Sequence, residues 1–168
     1  MKAYQHQYSQ TVTHCNTIHS VIPIKAYAHT SVVRITADNC ERIEESAFYN
    51  VQTLSYVNLP KVQYVGNTAF FNCRNLQEVH LPECLELQDA CFCGCTELRR
   101  VYLDKCQYIG CNAFKWCINL RYLELNDKCK FGYQAFECTP NLSIKVKREH
   151  LAWYKETYPE LDKICAVF

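Results

Sequence analysis

The sequence predicts a solenoid, with parallel β-strands along a concave face, short or helical turns on the convex face, and a capping helix at the C-terminus. Three observations carry this expectation. Phe48, Phe70, Phe92, Phe114 and Phe136 recur every 22 residues. Leu54, Leu76, Leu98, Leu120 and Leu142 keep the same step, as do Val57, Val79, Val101 and Leu123, each followed two places on by Leu59, Leu81, Leu103 and Leu125. A further column runs Ile43, Val65, Leu87, Ile109 and Phe131. Columns in register without an insertion mark stacked units of equal length.

Each unit reads as a strand and a return. "LSYVNLP" and its equivalents "LQEVHLP", "LRRVYLD" and "LRYLELN" end on apolar residues two apart, the alternation of a strand with one buried face. The stretch that follows, such as "VQYVGNTAFFNC", crosses the back and returns. One unit cannot bury its apolar face alone, so the strands stack in parallel at about 4.8 Å per coil. Five coils make a curved block about 24 Å deep. The Ala-Phe pair in each unit supplies the buried peg. Gly66, Gly110 and Gly132 share a column with Glu44 and Gln88, so this position is a crowded turn and not a loop for cradling phosphate.

The ends need caps, because an open solenoid exposes core and unpaired strand edge. Residues 1–31 are expected to form an N-terminal cap, partly irregular, in which "TIHSVIPIKAYAHTSVVRI" holds one degenerate coil and a capping strand. The first dozen or so residues are polar and expected to be disordered. Residues 32–146 form the solenoid of about five 22-residue units, and 147–168 a C-terminal cap. In that cap Leu151, Tyr154 and Tyr158 fall at helical spacing and Pro159 stops the helix. The pattern leaves open whether Trp153 packs or faces solvent.

The motifs "FNCRNLQEVHLP", "YIGCNAFKWCINLRYLEL" and "FGYQAFECTPNL" resemble the BspA-like leucine-rich repeat family, whose units read N-L-x-x-V-x-L-P and then A-F-x-x-C. The resemblance covers about Arg34 to Val146, and "IKVKREHLAWYKETYPEL" is similar to that family's usual end. It implies a leucine-rich repeat solenoid and a role in adhesion or protein binding, often at a cell surface. The chain departs from that pattern in showing no export signal.

Composition narrows the remaining classes. Lys plus Arg number 18 against 17 Asp plus Glu, so nucleic acid and anionic membrane are not expected partners. No apolar run approaches the roughly 20 residues of a membrane span. "MKAYQHQYSQ" lacks the apolar stretch of a signal peptide, which predicts a cytoplasmic protein if Met1 is the native start. A chain trimmed from a longer one would instead fit a surface or secreted location.

Function is expected on the strand residues that alternate with the buried ones. One outward column is Arg34, Tyr56, Glu78, Arg100 and Tyr122; the second is Thr36, Asn58, His80, Tyr102 and Glu124. All of these except Thr36 are candidate partner-binding residues, since Tyr and Arg join large contact area to polar handles. The plainer alternative is that pairs such as Glu78 with Arg100 merely stabilise the sheet. The expected ligand is a protein partner, with an adhesin-like binder of matrix or glycan as the alternative.

No catalytic residues, metal site or cofactor are assigned. The histidines His6, His14, His19, His29, His80 and His150 lack metal-ligand spacing, and the cluster His14, Cys15 and His19 has no second ligand pair. Cys-His pairs can be drawn, but nothing supplies an oxyanion hole or an orienting group. No phosphate loop or dinucleotide fingerprint occurs. The glycosylation triplet at Asn141 has a core residue, Leu142, at its centre and reads as accidental.

Thirteen cysteines are spread through the repeat. Cys91 takes the slot of Ala47, Ala69, Ala113 and Ala135; Cys95 lines up with Val51, Cys73 and Cys117; Cys84 and Cys106 line up with Cys40 and Val62. Valine in the last two columns marks slots for a small hydrophobe, which is how buried cysteine behaves. Most thiols are therefore expected to be buried and reduced, with disulfides between stacked cysteines not expected. Cys93 shares its column with Tyr49, Phe71, Lys115 and Glu137, and is expected to point outward.

Overall fold

The computed structural model describes residues 15–16 and 20–166 of the chain. The strands in order are β1 (Cys15–Asn16), β2 (Val21–Ile22), β3 (Arg34–Thr36), β4 (Arg42–Ile43), β5 (Tyr56–Asn58), β6 (Tyr64–Val65) and β7 (Glu78–His80). They continue as β8 (Glu86–Leu87), β9 (Arg100–Tyr102), β10 (Tyr108–Ile109), β11 (Tyr122–Leu125), β12 (Lys130–Phe131) and β13 (Ser143–Val146). A helix, α1 (Arg148–Thr157), precedes the last strand, β14 (Ile164–Ala166). β1, β3, β5, β7, β9, β11, β13 and β14 form one parallel sheet in that order. Every pairing steps one coil along the chain, which is the predicted solenoid.

The convex side is more regular than the turns expected there. β2, β4, β6, β8, β10 and β12 form a second parallel sheet of six two-residue strands. Its buried row is the column Ile43, Val65, Leu87 and Ile109. Between the sheets the backbone of one coil bonds to the next: Phe48 N donates to Ala69 O at 2.7 Å, Phe70 N to Cys91 O at 2.7 Å and Phe92 N to Ala113 O at 2.9 Å. Two positions per coil adopt the left-handed region, one through Ser46, Thr68, Ala90, Asn112 and Gln134, the other through Asn50, Asn72, Gly94, Trp116 and Cys138. Four of these ten residues are Gly or Asn, which reach this region readily, and the other six are held there by the stacked coils.

The pegs form a spine. Phe48, Phe70, Phe92 and Phe114 are fully buried, with successive rings nearly coplanar in tilt and 4.9, 5.0 and 5.4 Å apart. Phe136 follows at 5.8 Å, and Tyr27 begins the stack at 5.1 Å from Phe48. Tyr27 lies 21 residues before Phe48. The pairing of Val21 with Arg42 confirms that the first described coil is one residue short, which is why its sequence runs off register. Gly66 and Gly110 are at close approaches between coils: a Cβ on Gly110 would lie 2.6 Å from the backbone carbon of Gln88, and one on Gly66 would lie 2.7 Å from the nitrogen of Glu45. The crowded-turn reading therefore holds.

At the C-terminus α1 lies over the last coil. Tyr154 is fully buried, and its hydroxyl accepts from Cys129 N at 2.8 Å and donates to Asp127 O at 2.9 Å. Tyr158, just beyond the helix, accepts from Phe131 N at 2.7 Å and packs on the Phe131 ring at 4.7 Å. Trp153 is half-buried against Tyr154, 4.8 Å between rings. Sequence reasoning missed β14, which pairs with β13 after the helix and prolongs the concave sheet by one strand. At the other end β1 pairs with β3, and it lies just before the stretch expected to hold a capping strand. The polar first dozen residues, with His6, His14 and His19, lie outside the described residues.

Candidate functional site

The concave sheet sets out the two outward columns as adjoining rows. Register pairs Arg34 with Tyr56, Tyr56 with Glu78, Glu78 with Arg100 and Arg100 with Tyr122. The second row pairs Thr36, Asn58, His80, Tyr102 and Glu124 in the same way. Between the rows Ile35, Val57, Val79, Val101 and Leu123 point inward and are buried, so alternation alone turns the rows to solvent.

Within the rows the chemistry divides into two halves. In the N-terminal half the groups engage one another. The Arg34 guanidinium lies 4.4 Å over the Tyr56 ring, and the Tyr56 ring is 5.6 Å from that of His80. His80 Nε2 meets Glu78 Oε1 at 2.5 Å and its ring stacks on Tyr102 at 4.4 Å. The plainer expectation of a Glu78–Arg100 pair is not met, because Glu78 turns to His80 instead. Arg100 is left exposed, with no ion pair or side-chain hydrogen bond among the described residues. Tyr122 is exposed as well, its ring covered only by Lys145 Nζ at 4.9 Å.

Two shallow depressions open here. One, of about 190 Å³, is lined by Arg100, Tyr102, Tyr122, Glu124 and Lys145. The other, of about 500 Å³, lies at the strand entrances and is lined by Gln77, Glu78, Arg99, Arg100, Asn119, Arg121 and Tyr122. Sequence reasoning missed Ser143 and Lys145, which extend the rows beyond Tyr122 and Glu124. Tyr122 pairs with Ser143, a step of 21, so counting by 22 lands on the buried Ile144. It also passed over Arg99 and Arg121, which precede the strands and line the rim. Their signal was present as two arginines one repeat apart.

The cysteine cluster carries no comparable chemistry. Cys84, Cys91, Cys95 and Cys106 are buried as the columns required. Cys73, Cys95 and Cys117 donate their thiols to the carbonyls of Phe48, Phe70 and Phe92 at 3.0, 3.2 and 3.1 Å. Burial pushes Cys73 up to about 12 and Cys40 up to about 11, and holds Cys84, Cys91 and Cys95 well above the ordinary thiol value. These thiols stay protonated at neutral pH, and a protonated thiol is a weak nucleophile. No group of three or more metal-ligating side chains meets among the described residues. The twelve cysteines from Cys40 to Cys165 are all free of disulfides, including Cys106 and Cys129 with sulfurs 3.9 Å apart.

The expectation for Cys93 is corrected. It is 5 % exposed and not outward. Its column does face the surface, but a side chain of two heavy atoms between the bulk of Phe71 and Lys115 lies beneath both, and Lys115 is itself paired with Glu137. The exposed thiols are Cys138 and Cys165, with Cys111 intermediate. Native alkylation with iodoacetamide, read by peptide mass spectrometry, is expected to modify Cys138 and Cys165 first and to spare Cys73, Cys91, Cys95 and Cys117. Rapid labelling of Cys95 would contradict the sealed core. Leu142 is buried at the centre of the glycosylation triplet, while Asn141 is exposed.

With this geometry in place, the chain can be set beside known proteins. The pattern of the BspA type leucine-rich repeat region matches residues 20–143 in six copies. The structure is similar to a leucine-rich repeat protein from Bacteroides ovatus, with 22% identity and a TM-score of 0.64 over 88% of this chain and 45% of that one. It is also similar to the T. pallidum leucine-rich repeat protein, with 26% identity and a TM-score of 0.58 over 79% of this chain and 61% of that one. The chain thus spans less than two thirds of either. No curated protein matches it by sequence.

Proposed function

The chain belongs to the BspA type leucine-rich repeat family, and from that premise we propose that it is a non-enzymatic binding module whose concave face takes a protein partner. One observation carries the proposal: Arg100, Tyr102 and Tyr122 stand exposed side by side on adjacent strands of a rigid sheet. Exposed Tyr and Arg on a preorganised surface offer large contact area at little cost in ordering. The core beneath does not need them, since each strand buries its own apolar residue. No helix among the described residues is long and apolar enough to cross a membrane.

The test is Arg100→Glu combined with Tyr102→Ala. Both side chains are outside the core, so the melting temperature is expected to stay within a few degrees of the parent. Affinity for a captured partner is expected to fall by about 2 kcal/mol or more, the loss of a hot spot. A folded double variant that still captured its partner in pull-down would remove the concave face as the binding surface.

A further inference from the structure

Hot-spot residue types are not spread evenly over the coils; one coil gathers them, and it gathers them past the edge of the sheet. From its convex flank toward the concave face that coil presents Trp116, Ile118, Arg121 and Tyr122. The coil before it presents Gly94, Thr96, Arg99 and Arg100 at the same places, and the one before that Asn72, Arg74, Gln77 and Glu78. Trp116 is 52% exposed, Ile118 46% and Tyr122 48%.

Trp116 is the position that the fold does least to explain. Its φ is +61°, in the left-handed region that suits the Asn50, Asn72 and Gly94 of the equivalent turns. A bulky side chain there adds backbone strain, and half-exposure forgoes most of the burial that would offset it. Its one ring contact is Lys115 Nζ at 5.3 Å. Further along the same coil Arg121 lines the rim depression with Arg100, and neither has an ion pair or side-chain hydrogen bond among the described residues. The depression's acid, Glu78, is engaged by His80, and Arg99 is held by Glu97 at 3.5 Å. Two guanidinia are therefore free to take carboxylates, and the exposed Trp116 and Ile118 come shortly before Arg121 on the same coil.

We infer that the binding surface crosses the rim of the solenoid and takes an extended acidic segment of a partner protein. The segment's carboxylates pair with Arg100 and Arg121, and an apolar side chain rests on Trp116 and Ile118. This rests on the concave-face proposal and narrows it to the C-terminal half of the face and to one chemistry.

Selection of short random peptides displayed on phage against the intact chain reads that chemistry directly. The selected sequences are expected to be rich in Asp and Glu and to carry a large apolar residue. Synthesised as free peptides and titrated by fluorescence anisotropy, they are expected to bind about ten-fold more weakly to Trp116→Asn and to Arg121→Glu. Binding is expected to weaken further in about 1 M salt, where the Debye length is about 3 Å. Trp116→Asn places in the turn the residue found at 50 and 72, so a melting temperature at or above that of the parent certifies its fold. Neutral or basic selected sequences, or no selected sequence at all, overturn the inference. So does a heparin fragment that binds with the same variant pattern where peptides do not, or a change of the chain's own oligomeric state with Trp116→Asn in place of peptide binding. Peptides lost to Arg100→Glu with Tyr102→Ala but indifferent to Trp116→Asn and Arg121→Glu overturn the rim site and leave the concave face standing. Indifference to all four substitutions removes both.

Discussion

Phe92→Ala is expected to destabilise the protein by about 3–5 kcal/mol, the usual cost of removing a buried phenylalanine. Phe92 is fully buried in the middle of the spine, with Phe70 5.0 Å below and Phe114 5.4 Å above. Direct transfer accounts for roughly 1.5–3 kcal/mol of the loss. The remainder is the cavity, which cannot close because inter-coil hydrogen bonds fix the spacing of the neighbouring rings: Phe70 N is bonded to Cys91 O, and Phe92 N to Ala113 O. At about 2–4 °C per kcal/mol for a chain of this size, the melting temperature should drop by roughly 6–20 °C. Circular dichroism melts measure it directly. Phe136, at the end of the stack and 5 % exposed, should cost less on the same substitution. Equal melting of Phe92→Ala and the parent would mean that the spine does not hold the coils together.

The second large effect is at the C-terminal cap. Tyr154 joins α1 to the last coil through a hydroxyl that serves Cys129 N and Asp127 O at once. Tyr154→Phe keeps the ring and removes both bonds, leaving the buried Cys129 N–H unpaired at a cost of about 1–3 kcal/mol, while Asp127, an exposed residue, can turn its carbonyl to water. Tyr154→Ala adds a cavity between the helix and Phe131, for a total of about 3–5 kcal/mol. The last coil should open before the rest, so hydrogen exchange at Phe131 and Leu123 should accelerate more than at Val57. Uniform acceleration along the chain would show that the cap is no separate unit, and an unchanged Tyr154→Phe would show that the two bonds carry no net weight.

These two positions differ in how far they could be read from sequence. Phe92 stands in a column that repeats five times, and repetition of one residue type at one step is evidence of a shared slot. Tyr154 occurs once. Helical spacing with Leu151 and Tyr158 marks the face that packs, but not the strand-end groups its hydroxyl reaches. The candidate site divides likewise. Both outward rows follow from alternation beside Val57, Val79 and Val101, so Arg100, Tyr102 and Tyr122 were legible. Ser143 and Lys145 were not, because a step of 21 between β11 and β13 breaks the count at the point where the rows continue.

By itself the sequence determined which side of the coil a residue takes wherever the 22-residue step is kept. Parallel strands at constant spacing make facing a property of position modulo the repeat, and this is why the core, the pegs, the concave rows and the buried thiols of Cys91 and Cys95 could be assigned from columns. Only the tertiary structure decided what happens between side chains on one side. Cys93 faces outward by column, yet lies buried because Phe71 and Lys115 are larger. Glu78 bonds to His80 along its own strand and so leaves the facing Arg100 free. Trp116 occupies a left-handed turn that suits the Asn50, Asn72 and Gly94 of its column but not its own side chain. Facing is set by backbone periodicity, which a single residue's number can express. Depth, partnership and strain depend on the bulk and reach of neighbours one coil away, and those are quantities of three-dimensional space.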